Sequence, residues 1–222
     1  MWRDGLLVAG KDLRIELRSR VVLNQVAPFG LVVLVLFALA LGPNRAPMAK
    51  AAPGLFWVSV LFATVLAVQR SVSLESSEAR DGLRLSGLDP AGVFLGKAAA
   101  LVVELAVLEV LLGVGVVLFY GVHVRSALDL VAACVAGTVG LAAAGTLYGA
   151  LAGGLRVRET LLPFLLLPVV APVLLAGTRA WQAALGTGLG NAGDPWLRLL
   201  CVFAAVYVSL GVVIFGPMLE AS

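Results

Sequence analysis

"RSVSLESSEARDGLRLSGLDPAGVFLGK" (residues 70–97) carries eight of the chain's 16 basic and 13 acidic side chains, although 61% of the 222 residues are hydrophobic. Outward from this island the charges vanish. Residues 21–44, 51–69, 130–155, 160–178 and 199–219 contain no Asp, Glu, Lys or Arg. Each run is long enough to cross hydrocarbon as a helix, since about 20 residues at 1.5 Å rise cover roughly 30 Å. A sixth stretch, residues 98–122, is interrupted only by Glu104 and Glu109. The mean hydropathy of +1.04 and the charged fraction of 13% lie far from soluble domains, where about 25% of residues are charged.

The expected fold is therefore an all-α polytopic membrane protein. Its six spans are expected at about 21–42, 51–69, 98–122, 130–155, 160–178 and 197–219. Only short connectors separate them, which leaves no room for a soluble catalytic domain, and residues 1–222 are read as one transmembrane unit. No apolar core followed by a small-residue cleavage site marks a signal peptide at the start. Six spans put both termini on one side, and the positive-inside rule chooses the side. Arg3, Lys11, Arg14, Arg18, Arg20, Arg70, Arg80, Arg84, Lys97, Arg156 and Arg158 share the side of the termini, against Arg45, Lys50, Arg125, Arg179 and Arg198 opposite. Both termini are expected in the cytoplasm, in a bacterial inner membrane. The pI near 9.2 then reflects orientation, and no nucleic-acid partner is needed.

As a helix, residues 2–18 gather Trp2, Leu6, Ala9, Leu13 and Leu17 into one stripe about 80° wide at 100° per residue. Arg3, Lys11, Arg14 and Arg18 form a neighbouring basic stripe. This pattern fits a helix lying in the interface, apolar side toward the acyl chains and basic side among headgroups, and it also fits a plain positive flank. Arg20 falls on the apolar side, so the helix should end or bend before it. Gly42-Pro43 reads as the stop of span one, with Arg45 and Lys50 in an external loop and Pro53-Gly54 opening span two. Gly145-x3-Gly149-x3-Gly153 lines one face of span four and suits close packing within the subunit or at a subunit interface. Pro163, Pro168 and Pro172 interrupt span five, and the latter two each remove a donor and clash with the preceding turn, predicting a kinked or broken helix. Residues 179–196 read as an external loop with Trp181 and Trp196 at the interface.

Chemistry is sparse. Cys134 and Cys201 lie inside spans without metal or haem spacing and read as small buried hydrophobes. His123, the sole histidine, sits in an external loop and reads as a surface residue before a haem ligand. Glu104 and Glu109 are the only acids well inside a span, each costing about 2.5 to 3.5 kcal/mol at the bilayer centre on insertion scales. Five residues apart, they point about 140° from one another and do not form one paired-carboxylate site. Satisfaction by neighbouring groups and a part in transport or proton relay both remain open for them. No catalytic residues and no metal site are expected.

The island imitates nucleotide motifs without completing them. Gly92-x3-Gly96-Lys97-Ala98 has one spacer too few for a phosphate loop and lacks the Ser or Thr for magnesium. In Leu85-Ser86-Gly87-Leu88, leucine stands where an ABC signature needs its second glycine. No ATP or other cofactor is expected on this chain. Residues 73–85 can form a short helix with Ser73 or Ser76 as N-cap and Glu75 and Glu78 near its start, where acids suit the dipole. Gly82 weakens it, and Gly87 with Pro90 ends the segment. A polar helix bearing both charge signs outside the bilayer suits docking on a soluble partner; a solvated loop tip is the plainer alternative.

"APGLFWVSVLFATVLAVQRS" (52–71), "LRLSGLDPAGVFLGKA" (83–98), "RETLLPFLLLPVVAPVLLAGTRA" (158–180) and "WLRLLCVFAAVYVSLGVVIFGPMLE" (196–220) together resemble the CcmB family, the haem exporter B permease subunits of cytochrome c maturation. The resemblance covers the whole chain. Its most specific parts are Pro-Gly-x-x-Trp at span two, Leu-Gly-Lys after the island and the triple-proline fifth span. The chain departs from the family where Glu78-Ala79-Arg80-Asp81 replaces a common Gly-x-Leu-Glu, and where Gly87 replaces a usual proline.

The resemblance implies an ABC-2 type permease with an elbow helix over residues 1–20 and a cytoplasmic coupling helix between spans two and three. It implies that Trp2, Leu6, Lys11, Leu13, Arg14, Leu17 and Arg18 serve the elbow, and that Glu75, Glu78, Arg80, Asp81 and Arg84 dock a CcmA-type ATPase. The implied partners are that ATPase, which carries the ATP, a second copy of the chain, and CcmC, CcmD and CcmE. Haem enters as an indirect substrate, with release of the haem chaperone CcmE from CcmC and CcmD favoured over haem export. A general ABC-2 exporter of lipid or drug is the nearest alternative, and an intramembrane enzyme using Glu104 and Glu109 is one of another class.

Overall fold

The structure, a computed structural model, describes residues 1–19, 24, 26–42, 44–74, 82, 87–153, 158–188 and 193–221. Among these residues it is all-helical: α1 (Trp2–Ser19), α2 (Ala27–Leu41), α3 (Arg45–Leu74), α4 (Pro90–Tyr120), α5 (Ala127–Gly153), α6 (Arg158–Ala184) and α7 (Asp194–Ala221). Helices α3 to α7 are each long and apolar enough to cross a membrane, while α2, over its fifteen described residues, is shorter. Residues 20–23 and 25, which complete the first expected span, lie outside the described residues. Five helices of this kind make the chain a polytopic membrane protein.

Several helix ends differ from the sequence expectation, each for a local reason. Helix α3 begins at Arg45, eight residues before Pro53, so Lys50 lies in helix and not in a loop. The Asn44 side chain accepts from the Ala46 N–H at 3.2 Å, a cap that starts the helix early, and Pro47 falls in the first turn where its missing donor costs nothing. Pro53 lies within the helix instead of opening it. Helix α4 likewise begins at Pro90, well before residue 98, because Asp89 caps it by accepting from Ala91 N–H at 3.2 Å and proline suits the first helical position. Gly87, at φ +67, supplies the turn before it. Helix α6 runs unbroken through Pro163, Pro168 and Pro172 and on to Ala184, past the expected end at residue 178. Trp181, expected at the interface, is 2% exposed.

That burial defines the core. Trp181 of α6 stacks on Phe56 of α3 with ring centroids 3.8 Å apart, and Trp57 stands edge-on to both. A Cβ on Gly137 of α5 or Gly177 of α6 would lie 2.3 or 2.4 Å from the Trp57 ring, so the two glycines are the slots that admit it. Six more helical residues on α6, with an aromatic partner waiting on α3, shorten the loop expected over residues 179–196. Helix α3 is innermost, with 61% of its apolar window buried, and α7 is outermost at 22%. Cys201 on α7 is consequently exposed on the outside of the bundle and not buried as expected, while Cys134 is partly buried. Gly145 and Gly149 receive Val68 and Val72 of α3, which places that glycine face inside the subunit.

A second cluster joins α1, α4, α5 and α7 through Val8, Val93, Phe94, Ala143, Leu147 and Phe215. Gly211 on α7 leaves the space filled by the Phe94 ring. This cluster lies at the end of the bundle where α4 begins. At the other end, Tyr120 donates its hydroxyl to the Leu34 carbonyl at 2.8 Å, tying α4 to α2. The backbone N–H groups of Arg125 and Ser126 both reach the Ala184 carbonyl at 3.0 Å, closing the α4–α5 connection onto α6.

Candidate functional site

Within the charged island, residues 75–81 and 83–86 lie outside the described residues, and Glu75, Glu78, Arg80, Asp81 and Arg84 all fall among them. Its two ends are described, and both rest on α1. At the far end, Gly5 of α1 lies against Gly92 and Gly96 of α4. A Cβ on Gly96 would sit 2.5 Å from the Gly5 carbonyl oxygen and 2.8 Å from Val8 Cβ. A Cβ on Gly92 would meet the Met1 carbonyl oxygen at 2.6 Å. The two backbones touch because neither helix has a side chain at the crossing, the small-xxx-small solution to close approach. Contacts advance along both helices in the same sense, Met1 with Gly92, then Gly5 and Val8 with Gly96, so α1 lies along the first turns of α4 in parallel.

The near end is held by charge. Arg70, on the last turns of α3, places Nη1 3.4 Å from Glu16 Oε2 of α1. The pair is an ion pair by distance without the alignment of a hydrogen bond. Both side chains are largely covered, at 22% and 14% exposure, so their attraction is less screened than at an open surface. Glu104 of α4 lies within electrostatic reach of both Glu16 and Arg70, and of Asp12 on α1. The Arg70 guanidinium thus has two carboxylates near it, Glu16 and Glu104, where α1, α3 and α4 meet. At the start of α1, Asp4 accepts from the Met1 amine at 3.0 Å, and Asp89 lies 3.4 Å from that amine. The hydrogen bond it donates to Asp4 raises the amine's pKa, and the amine in turn lowers that of Asp4.

Helix α1 has three faces. Gly5 and Val8 are buried against α4, while Asp4, Asp12 and Glu16 are half-buried on the same side. Trp2, Leu6 and Leu17 of the apolar stripe are exposed, at 75%, 73% and 70%, and Leu13 is half-buried. Arg3, Lys11, Arg14 and Arg18 are exposed on the third face. The described helix runs to Ser19, and Arg20, before which it was expected to end or bend, lies outside the described residues.

Glu109 is separate from this junction. It is 7% exposed and accepts the hydroxyl hydrogen of Thr138 on α5. The Cys134 thiol, one turn earlier on α5, is a second hydrogen-bond neighbour. Glu104 and Glu109 therefore face different neighbours, as their spacing required, and form no joint site. His123 is exposed in the connection after α4. Among the described residues no cluster of His, Cys, Asp and Glu could hold a metal ion.

Sequence reading found the apolar and basic stripes of α1 but missed its third face. Gly92 and Gly96 were weighed only as a failed phosphate loop, when the spacing is also that of a helix contact. Asp12 and Glu16 were passed over because they look like ordinary surface acids until Arg70 is brought to them. Thr138, one of two threonines in the apolar span 130–155, was the signal that Glu109 had a partner.

The residues that hold the island's ends lie within the stretch matched by a family model. Residues 5–222 match the model described as CcmB protein. The chain belongs to the CcmB family. Three relatives named heme exporter protein B illustrate the likeness. The protein of Pseudomonas aeruginosa is 32% identical over 203 residues, covering 89% of each chain. That of Haemophilus influenzae is 28% identical over 98% of this chain and 95% of its own length. That of Bradyrhizobium diazoefficiens is 29% identical over 90% of each. Membership of the CcmB family fits the five long apolar helices.

Proposed function

We propose that this chain is the non-catalytic permease subunit of an ABC-type assembly in cytochrome c maturation. In this reading α2 completes six spans, α1 is the elbow helix, and residues 70–97 face the cytoplasm and take up movement from a CcmA-type ATPase. Glu75, Glu78, Arg80, Asp81 and Arg84 form the docking surface. The observation that carries the reading is the position of α1, which touches α3 just before the island and α4 just after it. A load applied to residues 75–89 reaches the bundle through two helices and one shared brace, which is what a lever needs and a solvated loop tip does not. Two copies of the chain pair with two ATPase subunits, and closure of the ATPases shifts the balance between two arrangements of the helices. The work is spent on releasing CcmE from CcmC and CcmD, with haem as the indirect substrate. Haem export, as the relatives' name says of them, is the second outcome of the same machine.

The test is co-purification with a tagged CcmA-type ATPase expressed alongside the full chain. The unaltered chain is expected to co-purify, and Arg80→Ala, Asp81→Ala and Arg84→Ala together are expected to reduce recovery severalfold. Glu104→Gln with Glu109→Gln should leave recovery unchanged. Failure of the unaltered chain to bring down any such ATPase sinks the proposal. Full recovery with the triple variant removes the island as the docking surface.

A further inference from the structure

The outward side of α1 is built as a binding groove. Lys11, Arg14 and Arg18 line an open cleft of about 390 Å3 together with Leu6, Leu7 and Ile15. Gly10 lies at its floor and has open space where a side chain would stand. Lys11 is paired with Asp12 at 3.1 Å, whereas neither Arg14 nor Arg18 makes an ion pair with a described residue. The acids of this helix, Asp4, Asp12 and Glu16, sit on the half-buried side toward α4. Signs are thus segregated across one helix: carboxylates inward, guanidinium groups outward, in a cleft whose remaining wall is aliphatic.

A ligand for this cleft needs a compact anion to lie between the two arginines and a hydrocarbon portion to cover leucines that are 73% and 68% exposed. Arginine forks suit phosphate oxygens, and a helix with basic and apolar faces suits the headgroup boundary of a bilayer. A free phosphate would leave the leucines uncovered. We propose that the cleft is a site for one anionic phospholipid of the adjoining leaflet, its phosphate between Arg14 and Arg18 and its upper acyl chain along Leu6, Leu7 and Ile15. The site depends on the shape and charge of α1 and not on the ATPase reading.

The test uses the full chain purified alone in mild detergent, with bound molecules counted by native mass spectrometry. Phosphatidylglycerol and phosphatidylcholine are offered in turn, then water-soluble glycerol phosphate, then an acidic peptide. Phosphatidylglycerol is expected to be retained in preference to phosphatidylcholine. Arg14→Gln with Arg18→Gln should weaken that retention by about 10- to 30-fold, the size expected for removing two basic groups near a charged lipid surface. Arg14→Lys with Arg18→Lys, which keeps the charge, should retain most of it, and Arg179→Gln with Arg198→Gln should change nothing. Helical content and elution volume check that each variant is folded. Equal retention of the two lipids by the unaltered chain, or equal phosphatidylglycerol binding by the glutamine variant, overturns the proposal. Comparable binding of glycerol phosphate or of the acidic peptide at the same arginines overturns the lipid assignment.

Discussion

Replacing Gly96 by valine tests the tight contact of α1 with α4. The first added carbon would stand 2.5 Å from the Gly5 carbonyl oxygen, 2.8 Å from Val8 Cβ and 3.1 Å from Gly5 Cα. Comfortable separations for such atoms are about 3.5 Å or more, so α1 must retreat by roughly 0.7 to 1 Å. Two of the three obstacles are backbone atoms of a helix, which cannot turn aside as a side chain can. A gap of that size forfeits a quarter to a half of the dispersion energy along the contact, and overpacking of this kind typically costs about 1 to 3 kcal/mol. Gly113→Val is the matched control, since it makes the same change on the same helix at a position with nothing within 4 Å. Helix propensity shifts both variants by similar amounts, so their difference isolates the collision. We expect Gly96→Val to be about 2 to 3 kcal/mol less stable than Gly113→Val, measured by SDS-driven unfolding of the full chain in mixed micelles. A difference under about 0.5 kcal/mol refutes the close approach, and with it the claim that α1 braces the far end of the island.

Two further outcomes follow from the packing. Gly177→Ala should destabilise the bundle by about 2 to 3 kcal/mol, because the new Cβ would lie 2.4 Å from an indole fixed between α3, α5 and α6. Combining it with Trp57→Phe should cost less than the sum of the two single changes in the same unfolding assay, since the smaller ring vacates the contested space. Glu109→Gln should keep an acceptor for Thr138 and stay within about 0.5 kcal/mol of the unaltered chain. A cycle of Glu109→Leu with Thr138→Val should give a coupling of about 0.6 kcal/mol, the usual size for a hydrogen bond between spans. Loss of helix content with Glu109→Gln would contradict a purely bonded role for this acid.

The membrane class, the helical content and the approximate centres of the long helices were legible in the sequence because they depend on hydrophobic runs, which tertiary contacts do not rearrange. Helix ends were less legible. Pro53 was expected to open a helix and the proline series of α6 to kink or break one, yet proline forbids one backbone bond and clashes with one turn, and a helix held on both sides by neighbours tolerates that. Trp181 shows the same limit from the other direction. An aromatic residue near a run of glycines fits the bilayer boundary equally well as a core stack, and only Phe56, distant in sequence, decides between them. The island was legible as an exposed charged segment but its supports were not. Gly5 and Glu16 acquire meaning from Gly96 and Arg70, and no local pattern connects those pairs.

The arrangement of α1 also explains why its charges are not mixed along its length. Arg70 sits where the apolar run of α3 gives way to water, and a guanidinium there needs carboxylates close by if it is to be half-covered without loss. Glu16 supplies one from α1 and Glu104 another from α4, and Asp4, Asp12 and Glu16 all lie on the inward side of α1. The basic residues that balance them on the same helix are left with the opposite side, beside an exposed apolar stripe. A helix made this way touches protein through small residues and acids and touches its surroundings through arginine and leucine. Arg70 and Gly96 therefore both bear on one helix whose outward side carries arginine and leucine, a link between the two ends of the island that does not pass through the aromatic core of Phe56, Trp57 and Trp181.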